Sequence, residues 1–256
     1  MSSRESPAAV LFDMDGTLVD TEDLWWDACV EVAGGLGSPL GEADREALFG
    51  LSVEDAALHI SGGPGAGAVE SLLTDAFTRR LKNGVTMLPG AVALLEALRA
   101  AGIPAGLVSA SPRPVVDLVL ETVGGHRFRL SVAAGDSARN KPAPDPYLAA
   151  AARLGVDPAA CVAIEDSPTG VASARSAGCA VIVVGTSGAA GGVTAAGATA
   201  GGVKAGGVTA GGVTAGGVTA GGVRAGGVTA VPTLESVDLP LLRRLVSDPG
   251  PVTPRT

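Results

Sequence analysis

AAVLFDMDGTLVDTE, residues 8–22, opens on an unbroken apolar run and then stops at an aspartate. A short run that is apolar on both faces reads as a buried strand of a parallel sheet, because a half-exposed strand would alternate. In open sheets of that kind, ligands bind outside the carboxyl ends of the strands. Asp13 and Asp15 therefore point into the expected crevice. Gly16 permits the sharp exit turn that the chain needs there. Two acids one residue apart would let one bind metal and attack while its neighbour handles protons. A lone acidic turn of this kind, however, is more often just a solvated loop.

Three further apolar runs resemble the first: IPAGLVS (103–109), CVAIE (161–165) and CAVIVVG (179–185). Helical patterns alternate with them. AVALLEALRAAG (91–102) follows Pro89 and Gly90 and ends at glycine. PRPVVDLVLETVG (112–124) carries prolines at its start. Asp145 with Pro146, and Ser167 with Pro168, place a capping side chain and an N1 proline before two more helices. This alternation predicts an α/β fold, a Rossmann-like doubly wound parallel sheet. Residues 21–87 break the rhythm with helical stretches and no strand candidate. They predict a helical cap inserted after strand one, closed by the turn MLPG (87–90). The core is then discontinuous, built from 1–20, 88–190 and 231–248.

Residues 191–230 are eight pentads of the form GGVTA, with AGATA, GGVKA and GGVRA as variants. Two glycines per pentad disfavour helix by about 1 kcal/mol each relative to alanine. One valine per pentad buries too little to offset backbone ordering. A period of five also gathers the valines on no single face. The expectation is a flexible, low-complexity Gly-rich insert, with a stacked β-roll as the alternative. The following VPTLESVDLPLLRRLV returns to globular composition and predicts a last edge strand and a helix.

The 256 residues carry a net charge of −8, and no basic cluster exceeds a pair such as Arg79 with Arg80. That argues against a nucleic-acid partner or an anionic membrane surface. Cys29, Cys161 and Cys179 are odd in number and form no CxxC pair, so they read as buried small apolar residues in a reducing compartment. With no signal-peptide h-region and no membrane-length apolar stretch, the expectation is a cytoplasmic protein; with no interface patch or heptad evident, it is a monomer.

Three more pieces lift the acidic turn above the solvated-loop reading. Ser109 ends IPAGLVS and places a hydroxyl and the following amides at the same sheet edge. Lys141 lies in NKPAPDPY, held out of helix by Pro142. Glu165 and Asp166 end CVAIE, just before another capped helix. Each alone has an ordinary explanation: a satisfied strand-end serine, a surface lysine, a helix-capping aspartate. Together, all fall at strand ends of one α/β pattern.

DMDGT (13–17), Ser109, Lys141 and IED (164–166), in that order, resemble the four motifs of the haloacid dehalogenase-like superfamily. The longer strings FDMDGTLVDTE, LVSASP, KPAPDPYL and IEDSPTGV look like its β-phosphoglucomutase and sugar-phosphate phosphatase branch. The resemblance covers about residues 8–187, and the pentads stand outside it. It implies a Mg²⁺-dependent phosphatase acting on a small phosphorylated metabolite. By the same resemblance, Asp13 attacks phosphorus and forms an aspartyl-phosphate, while Asp15 protonates the leaving oxygen and then activates water. Ser109, the Ala110 amide and Lys141 would hold phosphoryl oxygens. Asp13, the Asp15 carbonyl and Asp166 would hold the metal, with Glu165 supporting. Magnesium suits the chain better than zinc, because His59 and His126 are its only histidines and no Cys/His cluster exists.

The branch also contains a phosphomutase, in which a cap histidine assists the acid/base and a cap arginine grips a distal phosphate. Those positions hold Trp25 and Val53 here, which favours water as acceptor. Of Trp25 and Trp26, one is expected in the cap core and the other on the pocket roof. Phosphoglycolate-type phosphatase and phosphomutase stay open as alternatives. A non-enzyme reading makes the repeat a binding scaffold, although it carries only Lys204 and Arg224 as charged anchors.

Overall fold

Strand β1 (Ala9–Phe12) is buried along its whole length. The computed structural model describes residues 6–185, 223–225 and 228–247. After β1 come β2 (Val19–Asp20) and four helices, α1 (Glu22–Gly35), α2 (Glu42–Leu48), α3 (Val53–Ser61) and α4 (Ala66–Leu81). The chain returns through β3 (Thr86–Met87), α5 (Ala91–Ala100), β4 (Ala105–Pro112), α6 (Arg113–Val123) and β5 (Leu130–Ala134). It then continues as α7 (Asp145–Leu154), β6 (Cys161–Glu165), α8 (Pro168–Ala177), β7 (Ala180–Val184), β8 (Val223–Ala225), β9 (Val228–Val231) and α9 (Leu239–Ser247).

The main sheet has the order β5-β4-β1-β6-β7-β9-β8 and is parallel except for the β8/β9 pair. β1 lies between β4 and β6, with Phe12 opposite Leu107 on one side and Ile164 on the other. The chain leaves β1 toward β4 and later crosses back to β6, so the strand order reverses at the carboxyl end of β1. That is where such sheets form a crevice.

Alternate residues of β1 serve opposite faces. Val10 and Phe12 join one core with Leu95, Leu98, Val116 and Leu242, which also runs continuously into the α1–α4 block. Ala9 and Leu11 join a second core with Tyr147, Ala150, Val171 and Ala174. Burying each large aliphatic or aromatic side chain contributes about 1.5–3 kcal/mol, which lets a chain with few aromatics build two faces from Val, Leu and Ala.

The structure departs from the sequence-based expectations in four places. β5 was not among the expected strands, because LSVAA is a short edge strand interrupted by Ser131. β2 and β3 pair antiparallel at the two ends of the helical block, so residues 86–87 are strand where none was expected. Two residues are too few to show a period. Asp145 is not a helix cap: α7 starts at that residue, and its carboxylate accepts from Arg139 Nε at 3.1 Å and an Arg139 terminal nitrogen at 2.8 Å. Ser167 does cap α8, accepting from the Gly170 amide at 3.1 Å.

The fourth departure concerns the pentads. Their end supplies β8 and most of β9, with Val181 opposite Val228 and Val183 opposite Ala230. Main-chain pairing on the free edge of β7 is joined by alternate burial along β9, where Thr229 and Val231 turn inward. The rest of the repeat, 191–222 with 226–227, lies outside the described residues. Among those described, no helix is long and apolar enough to cross a membrane.

Leu11 is fully buried, and its Cδ2 lies 2.9 Å from where a Cβ on Gly106 would stand. That close fit between neighbouring strands leaves little room for collapse around a void. Leu11→Ala is expected to cost about 2–5 kcal/mol in urea unfolding; a loss under about 1 kcal/mol would contradict this packing.

Candidate active site

Asp13 continues directly from β1, and its amide donates to the Ile164 carbonyl at 2.9 Å, tying it to β6. The chain then turns back on itself. Leu18 and Val19 amides both donate to the Met14 carbonyl, at 2.9 and 3.1 Å, and the Gly16 amide donates to Val19 at 2.9 Å. Gly16 has φ +71°, and a Cβ there would fall 2.0 Å from Asp166 Oδ2. The glycine thus serves the turn and also leaves room for a carboxylate from β6's far end.

Lys141 arrives from the segment before α7 and is almost fully buried. Its Nζ donates to Asp13 Oδ1 and to Glu165 Oε1, both at 2.6 Å. The Tyr147 hydroxyl donates to the same Glu165 oxygen at 2.5 Å, and Ser167 Oγ lies 3.5 Å from Oε2. Glu165 itself packs over Gly170, where a Cβ would sit 1.9 Å from Oε2. Burial works against the Lys141 ammonium, but the charges of Asp13 and Glu165 outweigh it and lift its pKa above the ordinary lysine value. Burial pushes Glu165 up to about 7, against the pull of Lys141. Asp166 is raised well above the usual aspartate value by burial, then by the charges of Asp13 and Glu165.

Asp15 has different partners. Thr21 Oγ1 donates to its Oδ1 at 2.7 Å and Ser111 Oγ donates to its Oδ2 at 2.9 Å. Burial first, and the Asp13 charge second, raise its pKa to about 6. A carboxyl poised there can both give and take a proton near neutral pH.

Ser109 is buried, with its hydroxyl accepting from the Ser111 amide at 2.9 Å and lying 3.4 Å from Asp15 Oδ2. Ala110 and Ser111 line the cavity in front of it. Ser111 and Thr21 were not singled out from sequence. The first was legible in principle, because β4 runs on to Pro112 and its period of two puts residue 111 on the same side as 109. Thr21 stands at the α1 N-cap, yet it makes no side-chain cap and turns its hydroxyl to Asp15 instead.

The cavity floor comprises Asp13, Asp15, Ala110, Ser111, Lys141 and Asp166. Its roof comes from the helical block, including Trp25, Trp26, Arg45, Leu48, Phe49 and Phe77. Both tryptophans line it, where one was expected in the core; Trp25 also meets Phe77 edge-on at 5.4 Å between centroids. Val53 lines the cavity as well. Arg45 is a cation that sequence reading passed over. It lies 5.5 Å over the Trp26 ring and pairs with Asp23 at 2.5 Å, contacts that bring α2 against α1.

Asp13, Glu165 and Asp166 each offer a carboxylate oxygen, all within 4.8 Å of one another. An all-oxygen donor set with neither imidazole nor thiolate fits a hard cation such as Mg²⁺. The crowding of acids against one ammonium, with raised carboxyl pKa values as its sign, is the electrostatic condition that a divalent cation relieves.

Lys141→Ala removes the ammonium shared by two buried carboxylates. It is expected to destabilise the fold by about 3–5 kcal/mol in urea unfolding, with stability unaffected by the change as the contrary result.

The family described as haloacid dehalogenase-like hydrolase matches residues 7–178. Hexitol phosphatase A of Escherichia coli (strain K12) is 37% identical over 180 residues, covering 68% of this chain and 81% of that protein. Protein CbbY of Rhodobacter capsulatus is 34% identical over 190 residues, covering 68% and 84%. The crystal structure of CbbY from Rhodobacter sphaeroides in complex with phosphate superposes with a TM-score of 0.65 at 27% identity, covering 70% of this chain and 86% of that one. The motifs quoted from the sequence, the sheet that gathers them and these relatives agree: the chain belongs to the haloacid dehalogenase-like hydrolase family.

Proposed function

We propose that this phosphatase hydrolyses a sugar or polyol phosphate in two steps, through an aspartyl-phosphate on Asp13. The observation that carries this reading is the pairing of unlike carboxylates at the end of β1. Asp13 is fixed through Oδ1 by Lys141 Nζ at 2.6 Å, while Asp15, two residues on, has its pKa raised to about 6. One is paired with a buried ammonium; the other is held where it can carry a proton.

In the first step an Asp13 carboxylate oxygen attacks phosphorus, and the bond from phosphorus to the substrate oxygen breaks. The Asp15 proton passes to that leaving oxygen. In the second step the Asp15 carboxylate takes a proton from water, whose oxygen attacks phosphorus. The bond to Asp13 then breaks, and inorganic phosphate leaves with Asp15 protonated again. Thr21 and Ser111 hold the Asp15 carboxyl in place through both steps. Lys141, with the amides around Ala110 and Ser111, faces the transferring group and offsets its spread negative charge. Asp13, Asp166 and the Asp15 carbonyl, with Glu165 supporting, would hold Mg²⁺, which when bound neutralises phosphoryl oxygens.

The helical block acts as a cap in this reading. Its aromatic roof suits the C–H face of a sugar or polyol, and Glu22, which also lines the cavity, offers a carboxylate to hydroxyls. Trp25 and Val53 at the cavity support water over a second sugar phosphate as acceptor. The Arg45 charge is engaged by Asp23 and rests on Trp26.

The test is phosphate release from a panel of sugar, polyol and organic-acid phosphates and one sugar bisphosphate, with Mg²⁺ and with EDTA. Metal-dependent release, fastest from a hexitol phosphate or sugar monophosphate, is expected; absence of release from every compound would overturn the reading. In the same assay Asp13→Asn should abolish turnover, and Asp15→Asn should slow it about 10²–10⁴-fold. Turnover close to wild type in Asp13→Asn would remove the nucleophile assignment.

A further inference from the structure

Residues 49–51 form the turn between α2 and α3, and all three line the cavity roof. This turn contacts the start of α8 directly. Thr169 Oγ1 donates to the Gly50 carbonyl at 2.7 Å. Gly50 has φ +68°, and a Cβ on it would lie 2.7 Å from the Cβ of Ser167 and 3.3 Å from both the Ser167 and Thr169 hydroxyl oxygens. The backbone of the roof is therefore pressed against two hydroxyl side chains with no space for a side chain between them.

Thr169 stands one residue after Pro168, in the first turn of α8. A hydroxyl there would ordinarily turn back to its own helix or to water. The capping role is already filled by Ser167, whose Oγ accepts from the Gly170 amide at 3.1 Å. Thr169 is thus free to donate outward, and it does so across the gap between core and helical block. Its Oγ1 is also 3.3 Å from Ser167 Oγ, which in turn lies 3.5 Å from Glu165 Oε2. A line of hydroxyl contacts runs from the buried carboxylates at the end of β6 to the backbone of the roof.

We propose that Thr169 is a positioning residue whose hydroxyl latches the roof turn 49–51 over the cavity, and so determines how tightly substrate is enclosed. The proposal rests on the phosphatase reading for its kinetic consequence, but the latch itself is a contact of the resting protein. The turn is held by this hydrogen bond in addition to the packing of the helical block, and losing a neutral hydrogen bond shifts its closed-to-open ratio by about 3- to 10-fold. If the open form binds substrate poorly, apparent affinity falls in proportion to the closed fraction. Substrate, once bound, still draws the roof shut, so the effect falls on KM rather than kcat.

The experiment compares wild type, Thr169→Val and Thr169→Ser. Valine keeps the shape and removes the donor; serine keeps the donor. With a hexitol phosphate as substrate, Thr169→Val is expected to raise KM about 3- to 10-fold with kcat within twofold. Thr169→Ser should restore KM. In hydrogen–deuterium exchange without substrate, peptides covering residues 48–52 should exchange faster in Thr169→Val than in wild type, while the peptides of β1 and β6 keep their protection. A purely structural role would lower thermal stability and loosen β6 and α8 together, and serine would not restore KM selectively. Unchanged exchange at residues 48–52, or unchanged KM, would overturn the latch. If wild type releases no phosphate, the phosphatase reading falls, and the exchange comparison still decides the latch.

Discussion

The ammonium of Lys141 is the contact around which the site is organised. It sits buried between Asp13, which ends β1, and Glu165, which ends β6, at 2.6 Å from each. Asp15 and Asp166 lie close by, so four carboxylates crowd toward one cation. Charges removed from water are costly unless paired and hydrogen-bonded, and each partner here depends on the others. Register settles which acids meet. Phe12 opposite Ile164 makes Asp13 and Glu165 the next residues on adjacent parallel strands, so their carboxylates emerge together. The lysine must come from elsewhere in the chain, and it does, from the loop that leads into α7.

Such crowding requires small neighbours. Gly16 and Gly170 occupy positions where any Cβ would overlap the carboxylates of Asp166 and Glu165 respectively. These glycines are space for charged groups more than they are turn residues, although the positive φ of Gly16 makes it both. Tyr147 completes the arrangement from the other side. Its hydroxyl donates to Glu165, and its ring lies 5.4 Å from Lys141 Nζ, so one buried aromatic joins the charged centre to the apolar core under α7 and α8. The acids therefore differ in character by environment. Glu165 Oε1 is shared by Lys141 and Tyr147, Asp15 is held by two hydroxyls at a raised pKa, and Asp13 and Asp166 face the cavity.

The helical block shares a continuous apolar core with one face of the sheet, which makes its position a matter of packing. Its roof is aromatic and aliphatic, with Arg45 neutralised by Asp23 and resting on Trp26. The cavity is thus divided between two parts of the chain: the sheet edge supplies its charged floor, and the helical block its roof.

Most of the sheet was legible from local pattern. AAVLF, CVAIE and CAVIVVG read as buried strands because a parallel strand covered on both faces must be apolar throughout. The acids at their ends stood out because the pattern stops there. Lys141 was visible as a lysine held out of helix by proline. Other features depended on contacts that no local pattern encodes. β9 (VTAV) has strand-favouring Val and Thr, but a two-glycine pentad gave no local sign of it, and the open edge of β7 supplies its hydrogen-bond partners. Ser111 and Thr21 look like an ordinary strand residue and an ordinary cap until the turn at Gly16 brings Asp15 between them. Arg45 becomes part of the roof only when α2 packs on α1. Short-range periodicity and turn chemistry determined the elements and the acids at their ends; the partners of those acids were decided by the turn at Gly16, strand register and helix packing, which bring in Thr21 from six residues away and Ser111 and Lys141 from about a hundred.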